Sequence, residues 1–390
     1  MADSETPDLQ RRALTLGMLG ALVLPTAYAG TKKAPPASLF DAVSVGNLEL
    51  SNRIVMAPMT RGRAGETRTA NRLMAQYYAQ RASAGLIITE GAAISEQGYG
   101  WGGSPGIYTD AHVDGWKEVT EAVHRSNGRI FLQLWHTGRV SHPDFQAGAT
   151  PIGPSAVAAN GNAYTPLGKK PYVTPQAMSQ QDIDTAVAQY ARSAELAKEA
   201  GFDGVEIHGA NGYLIDQFIR DSANQRTDGY GGSVSHRLRF LLEVTEAVVG
   251  AWSPDRVGVR LSPTNPFNDM SDSNPAATFT AAATELRRFG LAYLHVLDEN
   301  SADRQPGRPA LQMRSLFDGP YMLNQNYDFH SGTEAIKAGH ADLISYGRSY
   351  ISNPDLVERF RNGIPLSPHP TEFIYQGGAE GYTDYPTAKS

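Results

Sequence analysis

The chain of 390 residues contains no cysteine. This absence excludes disulfides, thiolate nucleophiles and the cysteine ligands that hold iron–sulfur clusters and many zinc ions. It also removes one source of information about compartment, because a protein without cysteine is equally stable in reducing and oxidising surroundings. Any redox chemistry must therefore come from a bound cofactor.

Clusters of basic charge are missing as well. The sequence has 34 Lys and Arg residues against 40 Asp and Glu residues, a formal net charge of −6, and its basic residues adjoin one another only in short pairs. Nucleic acids and anionic membranes are bound through basic patches. We therefore expect a small-molecule substrate and no nucleic acid or membrane partner. As a separate expectation, the protein is a monomer or homodimer.

The N-terminal region has an apolar stretch that is too short to cross a bilayer, which requires about 20 residues. Residues 13–24 follow Arg11 and Arg12 and precede a small-x-small cleavage site after Ala29. This order is typical of a signal peptide, and the paired arginines resemble a twin-arginine export signal. Residues 1–29 are thus predicted to be a signal peptide that directs the protein to the periplasm, and residues 30–38 a linker.

A second interpretation of the N-terminal region stays open. Asp3, Glu5 and Asp8 make the segment before the arginines acidic, and the residues after the pair match the export signal loosely. On this interpretation the segment is a disordered or helical extension of a cytoplasmic protein.

From residue 52 onward, short apolar runs alternate with longer helical patterns, as expected of parallel strands that are buried on both faces. Eight runs are predicted to be strands, namely residues 54–59, 86–90, 130–135, 204–208, 257–262, 292–297, 321–325 and 342–346. Helices are predicted at residues 71–84, 116–126, 179–200, 235–251, 276–289 and 331–338. Eight such units predict an α/β fold, a single-domain TIM (β/α)8 barrel over residues 39–390 with a C-terminal tail.

Active sites of TIM barrels lie at the carboxyl ends of the strands, so the polar residues there are the candidate site. They are Thr60, Glu90, Gly91, Gln133, His136, His208, Asn211, Arg260, Asn324 and Arg348. No carboxylate pair of the glycosidase type dominates this set, and its histidines are too scattered for a metal cluster. Amide, imidazole and guanidinium groups suit a planar polar heterocycle and an anion.

The fourth predicted strand ends in the most informative segment of the chain. His208, Asn211 and Tyr213 leave this strand end together. Two hydrogen-bond donors and a phenol can hold a carbonyl oxygen and deliver a proton beside it. A His-x-x-Asn pattern alone has low specificity, since a histidine at a strand end is often structural.

Two glycine-containing segments differ in what they predict. Gly347 and Arg348 follow the eighth strand, where TIM barrels bind phosphate, although the arginine could instead cap the barrel rim. Residues 98–103 match the G-x-G-x-x-G dinucleotide pattern, but Ser104-Pro105-Gly106 follows where a helix should begin. The second segment is therefore predicted to be a rim loop, and a nicotinamide cofactor must bind in another way.

Several long motifs in order resemble those of the old yellow enzyme family of flavin-dependent ene reductases, over residues 39–386. They are NRIVMAPMT at 52–60, QRASAGLIITE at 80–90, QLWHTGR at 133–139, NQRTDGYGGS at 224–233 and GGAEGYTDYP at 377–386. The resemblance implies noncovalently bound FMN, NADPH or NADH as reductant, and reduction of α,β-unsaturated carbonyl or nitro compounds, with nitroesters and nitroaromatics as further substrates.

The same resemblance implies the residues that hold FMN. Thr60 would bind the C4 carbonyl of the flavin, Gln133 its pyrimidine edge, and Arg260 the region of N1 and the C2 carbonyl, where a cation favours reduction. The implied set is Ala57, Pro58, Thr60, Gly91, Gln133, Arg260, Asn324, Gln325, Gly347 and Arg348.

The resemblance also implies the roles of three residues in catalysis. His208 and Asn211 would grip the carbonyl or nitro oxygen, and Tyr213 would protonate the α-carbon. Trp101, Trp135 and Tyr375 resemble the walls of the substrate pocket, although Trp101 could serve only to pack the rim loop.

The sequence departs from the commonest family pattern at two places. After the fourth strand the family has either His-x-x-His or His-x-x-Asn, and this sequence has the second pattern, with Asn211. An asparagine side chain donates a hydrogen bond but does not titrate. Gln325, after the seventh strand, stands where many members have small residues, which leaves the phosphate contacts there open.

Two other functions fit part of the sequence. A metal-dependent barrel hydrolase would use His136, His142 and His208. A noncatalytic flavin-binding protein would keep Arg260 and Arg348 but would have no need of Tyr213.

Overall fold

The computed structural model describes residues 37–298 and 308–388. The predicted signal peptide and all but the last two residues of the predicted linker lie outside these ranges. Within the described residues, no helix is both long enough and apolar enough to pass through a membrane.

Eight parallel strands close into a barrel, as predicted. In chain order they are Ile54–Met56, Leu86–Ala93, Ile130–Trp135, Gly204–Gly209, Val257–Leu261, Tyr293–Leu297, Tyr321–Asn324 and Leu343–Tyr346. Each pairs with the next along the chain, and the eighth closes the barrel on the first. Because every strand runs in the same direction, all eight carboxyl ends meet at one face.

Helices connect and surround the strands. They are α1 (Arg72–Ala79), α2 (Asp110–Arg125), α3 (Gln180–Glu199), α4 (Leu214–Ile219), α5 (Val234–Ala251), α6 (Pro275–Arg287), α7 (Pro309–Leu316), α8 (Phe329–Lys337), α9 (Arg348–Ser352) and α10 (Leu356–Asn362). The six predicted helices are confirmed, with shifted ends.

Local side-chain bonds explain the largest of those shifts. Helix α2 begins six residues before the predicted start of its apolar pattern, because the Thr109 hydroxyl accepts from the His112 N–H and caps the helix there. Helix α1 stops early because Asn52 binds the Ser83 carbonyl and the Gly85 N–H, which turns the chain into the second strand.

The second strand is longer than predicted and carries a bulge. Its register against the third strand shifts between Ile88 and Gly91. Beside the bulge, the buried Glu90 carboxylate accepts from the backbone N–H groups of Arg61 and Gly62, at 3.1 and 3.3 Å. Glu90 therefore anchors the loop after the first strand, which ends at Met56 and not at residue 59.

Two segments outside the predicted elements complete the rim. An antiparallel hairpin pairs Asn162–Thr165 with Gly168–Pro171. The C-terminal tail is held by the fully buried Arg61, which donates to the carbonyls of Ile374 and Gly381 at 2.8 Å each. These bonds position Tyr375 at the mouth of the barrel.

Candidate active site

A pocket of about 180 Å³ lies at the carboxyl ends of the barrel strands. Its walls are Pro58, Thr60, Gly91, Trp101, Gln133, Trp135, His208, Asn211, Tyr213, Arg260, Phe267 and Tyr375. All of these except Phe267 were predicted from the sequence as site residues. The prediction missed Phe267 because it follows the fifth strand in a loop that has no strand or helix pattern.

His208 presents a neutral hydrogen-bond donor to the pocket. Its Nδ1 accepts from the backbone N–H of Ala210 at 3.4 Å, so the ring proton resides on Nε2. Burial, with help from the positive charge of Arg260, lowers the pKa of His208 well below its ordinary value. The imidazole is therefore uncharged at neutral pH and donates through Nε2.

Asn211 adopts a left-handed backbone conformation with a φ of +59°. Its backbone N–H donates to Ser262 Oγ at 2.8 Å, and its side-chain Oδ1 accepts from Asn265 Nδ2 at 2.8 Å. Since Oδ1 is occupied, Nδ2 is the group that Asn211 can offer to a pocket ligand.

Tyr213 immediately precedes α4, and its side chain is 7% exposed. The ring packs edge-on against Trp135 and His208, with ring centroids 5.1 and 5.0 Å apart. Burial raises the pKa of Tyr213 above its ordinary value. The phenol therefore keeps its proton throughout the neutral and mildly alkaline range.

Beneath the pocket lies a buried polar network that sequence reasoning missed. Gln133 Nε2 donates to Glu206 Oε1 at 2.8 Å, and Glu206 Oε2 lies 2.8 Å from His295 Nδ1. Ser345 Oγ binds the other ring nitrogen of His295 at 2.8 Å. The signal was present in the sequence, since Glu206 is two residues before His208 and so lies on the same face of the fourth strand.

The network fixes the polarity of Gln133. Because its Nε2 is bound to Glu206, its Oε1 is the group available on the pocket side and can accept from a ligand N–H. Burial opposes ionisation of Glu206, but His295 and Arg260 outweigh it and lower the pKa of the carboxyl. A carboxylate therefore lies under the pocket.

Arg260 is the cation of the site. Its Nη2 donates to Asn324 Oδ1 at 2.8 Å, while its Nε is buried without a hydrogen-bond partner among the described residues. A buried donor without a partner is costly, so this atom suits a ligand with an electron-rich edge. Arg260 and the Gln133 acceptor together match a heterocycle that carries both a carbonyl and an N–H, as the flavin pyrimidine ring does.

Gly91 allows the Trp135 ring to pack closely against the second strand. A Cβ atom at position 91 would lie 2.9 Å from this ring, which is too close for any side chain. Both residues line the pocket.

Comparisons with known proteins agree with this geometry. Residues 38–367 match the NADH:flavin oxidoreductase / NADH oxidase family. The chain is 43% identical to the probable flavin mononucleotide-dependent alkene reductase of Leishmania infantum, with 88% of this chain and 95% of the relative covered. The chain belongs to the old yellow enzyme family.

Solved structures of the family have the same fold. The old yellow enzyme homologue from Zymomonas mobilis (NCR) is 45% identical, with a TM-score of 0.87 over 90% of this chain and 99% of that one. Morphinone reductase in complex with tetrahydroNAD is 44% identical, with a TM-score of 0.86 over 90% and 98%. The predicted family, barrel fold, FMN cofactor and class of NAD(P)H-dependent flavin enzyme are therefore confirmed.

Five residues predicted to hold FMN do not line the 180 Å³ pocket of this old yellow enzyme, namely Ala57, Asn324, Gln325, Gly347 and Arg348. They lie at or just after the carboxyl ends of the first, seventh and eighth strands, which are neighbours in the barrel. Asn324 links the two regions, because it accepts from Arg260 and donates to the Ser345 carbonyl at 2.8 Å. The five residues therefore lie beside the pocket.

The end of the eighth strand carries Gly347 and Arg348, the two residues that the sequence predicts to bind phosphate. Gly347 is the residue before α9, and Arg348 is exposed, with a side chain that forms no ion pair or hydrogen bond within the ranges that the structure describes. Gln325 and Asn326 have positive φ values of 92° and 53° after the seventh strand. The backbone thus turns sharply there even though neither residue is a glycine.

A larger groove of about 1410 Å³ shares Trp101 and Tyr375 with the pocket. Its other walls come from the loop after the first strand, the glycine-rich rim loop, Phe145, the hairpin and the tail. Trp101 stacks on Tyr164 of the hairpin, with ring centroids 6.2 Å apart, and lies 5.8 Å from the Tyr375 ring. Trp101 therefore lies between the groove and the pocket, as part of the rim loop predicted from the glycine-rich segment.

The histidines of the alternative hydrolase have other contacts. His136 Nδ1 accepts from the Gly138 N–H at 3.0 Å, and His142 Nδ1 accepts from the Asp144 N–H at 3.2 Å. In residues 37–298 and 308–388, no group of three or more His, Asp or Glu side chains is arranged to bind a metal ion.

Proposed function

We propose that this enzyme reduces the carbon–carbon double bond of electron-poor alkenes that carry a carbonyl or nitro group, and that nitroesters and nitroaromatics are further substrates. The observation that carries this proposal is the convergence of His208, Asn211 and Tyr213 on one pocket with Gln133 and Arg260. Two neutral donors and one phenol are the groups that such a reduction needs.

His208 and Asn211 bind the carbonyl or nitro oxygen of the substrate. When the β-carbon accepts a hydride, the double bond is lost and negative charge develops on that oxygen. Fixed donors in a site shielded from water stabilise this charge more than they stabilise the neutral substrate. The His208 Nε2–H and the Asn211 Nδ2–H therefore accelerate the reaction.

Tyr213 completes the reduction by giving its proton to the α-carbon. The resulting enolate is strongly basic, so a phenol is acidic enough even though burial raises its pKa. The product is the saturated compound, and the phenolate of Tyr213 recovers a proton from solvent.

The predicted residues would hold FMN at the top of the barrel. When bound there, the cofactor would supply a hydride that originates from NADPH or NADH. Thr60, Gln133 and Arg260 would bind the ring, and Pro58 and Gly91 would lie beside it. The phosphate end would be held by Ala57, Asn324, Gln325, Gly347 and Arg348. Trp101, Trp135 and Tyr375 are the walls that surround the substrate.

Glu206 is expected to tune the electron affinity of the bound flavin. A Glu206→Gln substitution keeps the shape of the side chain but removes the negative charge under the pocket. Removal of this charge favours electron uptake by the flavin. The midpoint potential should rise by on the order of tens of millivolts for a unit charge several ångströms away at an effective dielectric constant of about 20. Spectroelectrochemical titration measures this shift. An unchanged potential would show that the Glu206 carboxylate has no electrostatic effect on the reduction of the flavin.

The proposed activity is tested on the purified full-length protein. We expect a yellow protein that releases FMN on heat denaturation. After anaerobic reduction by NADPH or NADH, its flavin should be reoxidised by a cyclic enone, a maleimide or a nitroalkene, with the saturated product found in equal amount. A reduced flavin that persists with all three compounds would contradict the proposal.

We also propose export by the twin-arginine route. The proposal rests on Arg11, Arg12, the apolar residues 13–24 and the small residues around Ala29. We expect the mature protein to begin at Gly30 and to fractionate with the periplasm, and Lys substitution of both arginines to retain the precursor in the cytoplasm. Recovery of the uncleaved wild-type chain from the cytoplasm alone would refute export.

A further inference from the structure

The loop after the fifth strand contacts the side chain of Asn211. From this contact we infer that Asn265 is a positioning residue, which commits the amide of Asn211 to donate its N–H into the pocket. The inference rests on the proposed function, since it concerns the polarity of one of the two oxygen-binding groups.

One group in this loop has a polarity that cannot be reversed. The backbone N–H of Phe267 can only donate, and it donates to Oδ1 of Asn265 at 3.1 Å. This bond turns the oxygen of the Asn265 amide toward Phe267. The Nδ2 group of Asn265 must therefore point away from Phe267.

The second bond carries this polarity to the pocket. Asn265 Nδ2 donates to Asn211 Oδ1 at 2.8 Å. The oxygen of Asn211 is thus turned toward Asn265, which leaves its Nδ2 for the pocket that Asn211 lines. Two consecutive amides relay the direction of one backbone N–H to the substrate site.

An amide needs such a partner because its two ends have nearly the same shape. Rotation by 180° would put the Asn211 oxygen into the pocket, where it would repel the substrate oxygen and the charge that develops on it. Other groups hold the backbone of Asn211: Ser262 Oγ accepts from its N–H, and Asn268 Nδ2 donates to its carbonyl, both at 2.8 Å. The side chain of Asn265 therefore orients only the side-chain amide of Asn211 and not its backbone.

Asn265 is itself anchored from below. Its carbonyl accepts from Arg220 Nη1 at 3.1 Å, and Arg220 forms a buried ion pair with Asp216, with Nε and Oδ1 3.0 Å apart. Because this anchor uses the backbone of Asn265, a substitution of the side chain leaves it in place. The side chain can therefore be tested separately from the loop.

The decisive variant is Asn265→Asp, with Asn265→Ala as its matched control. The ionised carboxylate of the Asp variant still accepts from Phe267 but cannot donate to Asn211, so the amide should rotate and turn its oxygen to the pocket. Alanine only removes the constraint. At pH 8 we expect reoxidation of the reduced flavin by a cyclic enone to slow on the order of a hundredfold in the Asp variant and about three- to tenfold in the Ala variant.

The pH dependence separates positioning from a purely structural role. As the pH falls through the pKa of the introduced carboxyl, its protonated form can donate to Asn211 again, so the Asp variant should recover toward the wild-type rate while the Ala variant should not. FMN content and reoxidation by dioxygen, which needs no oxygen clamp, are the controls for folding. An Asp variant that is no slower than the Ala variant, or that shows no recovery at low pH, would overturn the inference.

The wild-type measurement tests the proposed function separately. If the wild-type enzyme fails to reduce the enone, the proposed substrate class is wrong, and the inference is then tested by binding of a para-substituted phenol at pH 8. The phenol affinity should again fall in the order wild type, Ala variant, Asp variant. Equal phenol affinities for the three proteins would overturn the inference whatever the substrate is.

Discussion

A Tyr213→Phe enzyme is expected to reduce alkenes on the order of a hundredfold more slowly than the wild type, or worse. The substitution removes only the hydroxyl, so the ring still packs against Trp135 and His208. Without the phenol, the α-carbon must take its proton from water in a buried pocket. Stopped-flow reoxidation of the anaerobically reduced flavin by a cyclic enone measures this step directly.

The reductive half-reaction is the internal control for Tyr213. Hydride transfer from the coenzyme needs no acid at this position, so flavin reduction by NADPH or NADH should stay within a few-fold of the wild type. Tyr172 packs against the same small cluster of Trp135, Val140 and Tyr213. A Tyr172→Phe variant is therefore the matched control, since it also loses a tyrosine hydroxyl but should keep the wild-type rate of alkene reduction. Equal loss in both half-reactions would refute the proton-donor role.

The same assignment predicts the alkaline side of the pH profile. Because burial raises the pKa of Tyr213, the phenol keeps its proton well beyond the range in which an exposed tyrosine ionises. The rate constant for alkene reduction should therefore show no loss near pH 10 from this group, which stopped-flow measurements across that range would test.

His208→Ala is the second substitution with a large expected effect. It removes one of the two donors to the substrate oxygen, which typically costs on the order of a hundredfold in rate or more. The affinity for para-substituted phenols should fall as well, because a phenolate oxygen needs the same donors. Absorbance titration with the phenol and stopped-flow reoxidation by an enone measure the two effects.

A matched variant separates donation from packing at this position. His208→Asn keeps an N–H donor on a smaller side chain, so it should lose less than His208→Ala in both assays. Unchanged phenol affinity in His208→Ala would contradict the oxygen-binding role. Because burial and Arg260 lower the pKa of His208 well below 6.5, the wild-type rate should show no inflection from this residue near that pH.

The barrel was predictable because its signals are local. A strand that is buried on both faces reads as a short apolar run, and the third strand, Ile130–Trp135, was predicted to the residue. The end of the first strand was not predictable in this way, because residues 57–59 continue its apolar run, whereas the backbone that follows, at Arg61, is held by Glu90 from the second strand.

The pocket was also largely predictable, because parallel strands bring their carboxyl ends to one face. His208, Gln133 and Arg260 could be assigned to the same site although they are far apart in sequence. Phe267 and Asn265 could not, since nothing in their own segment indicates how the loop after the fifth strand folds back over Asn211.

By itself, the sequence determined the eight-stranded barrel, the need for a cofactor in a chain without cysteine, and the identity of every residue that lines the pocket except Phe267. Only the tertiary structure decided their polarity. The proton of His208, the amide direction of Asn211 and the acceptor of Gln133 are each set by a specific partner, respectively Ala210, Asn265 and Glu206. Hydrogen-bond direction depends on which atoms meet in space, and two of these three partners lie more than 50 residues away along the chain.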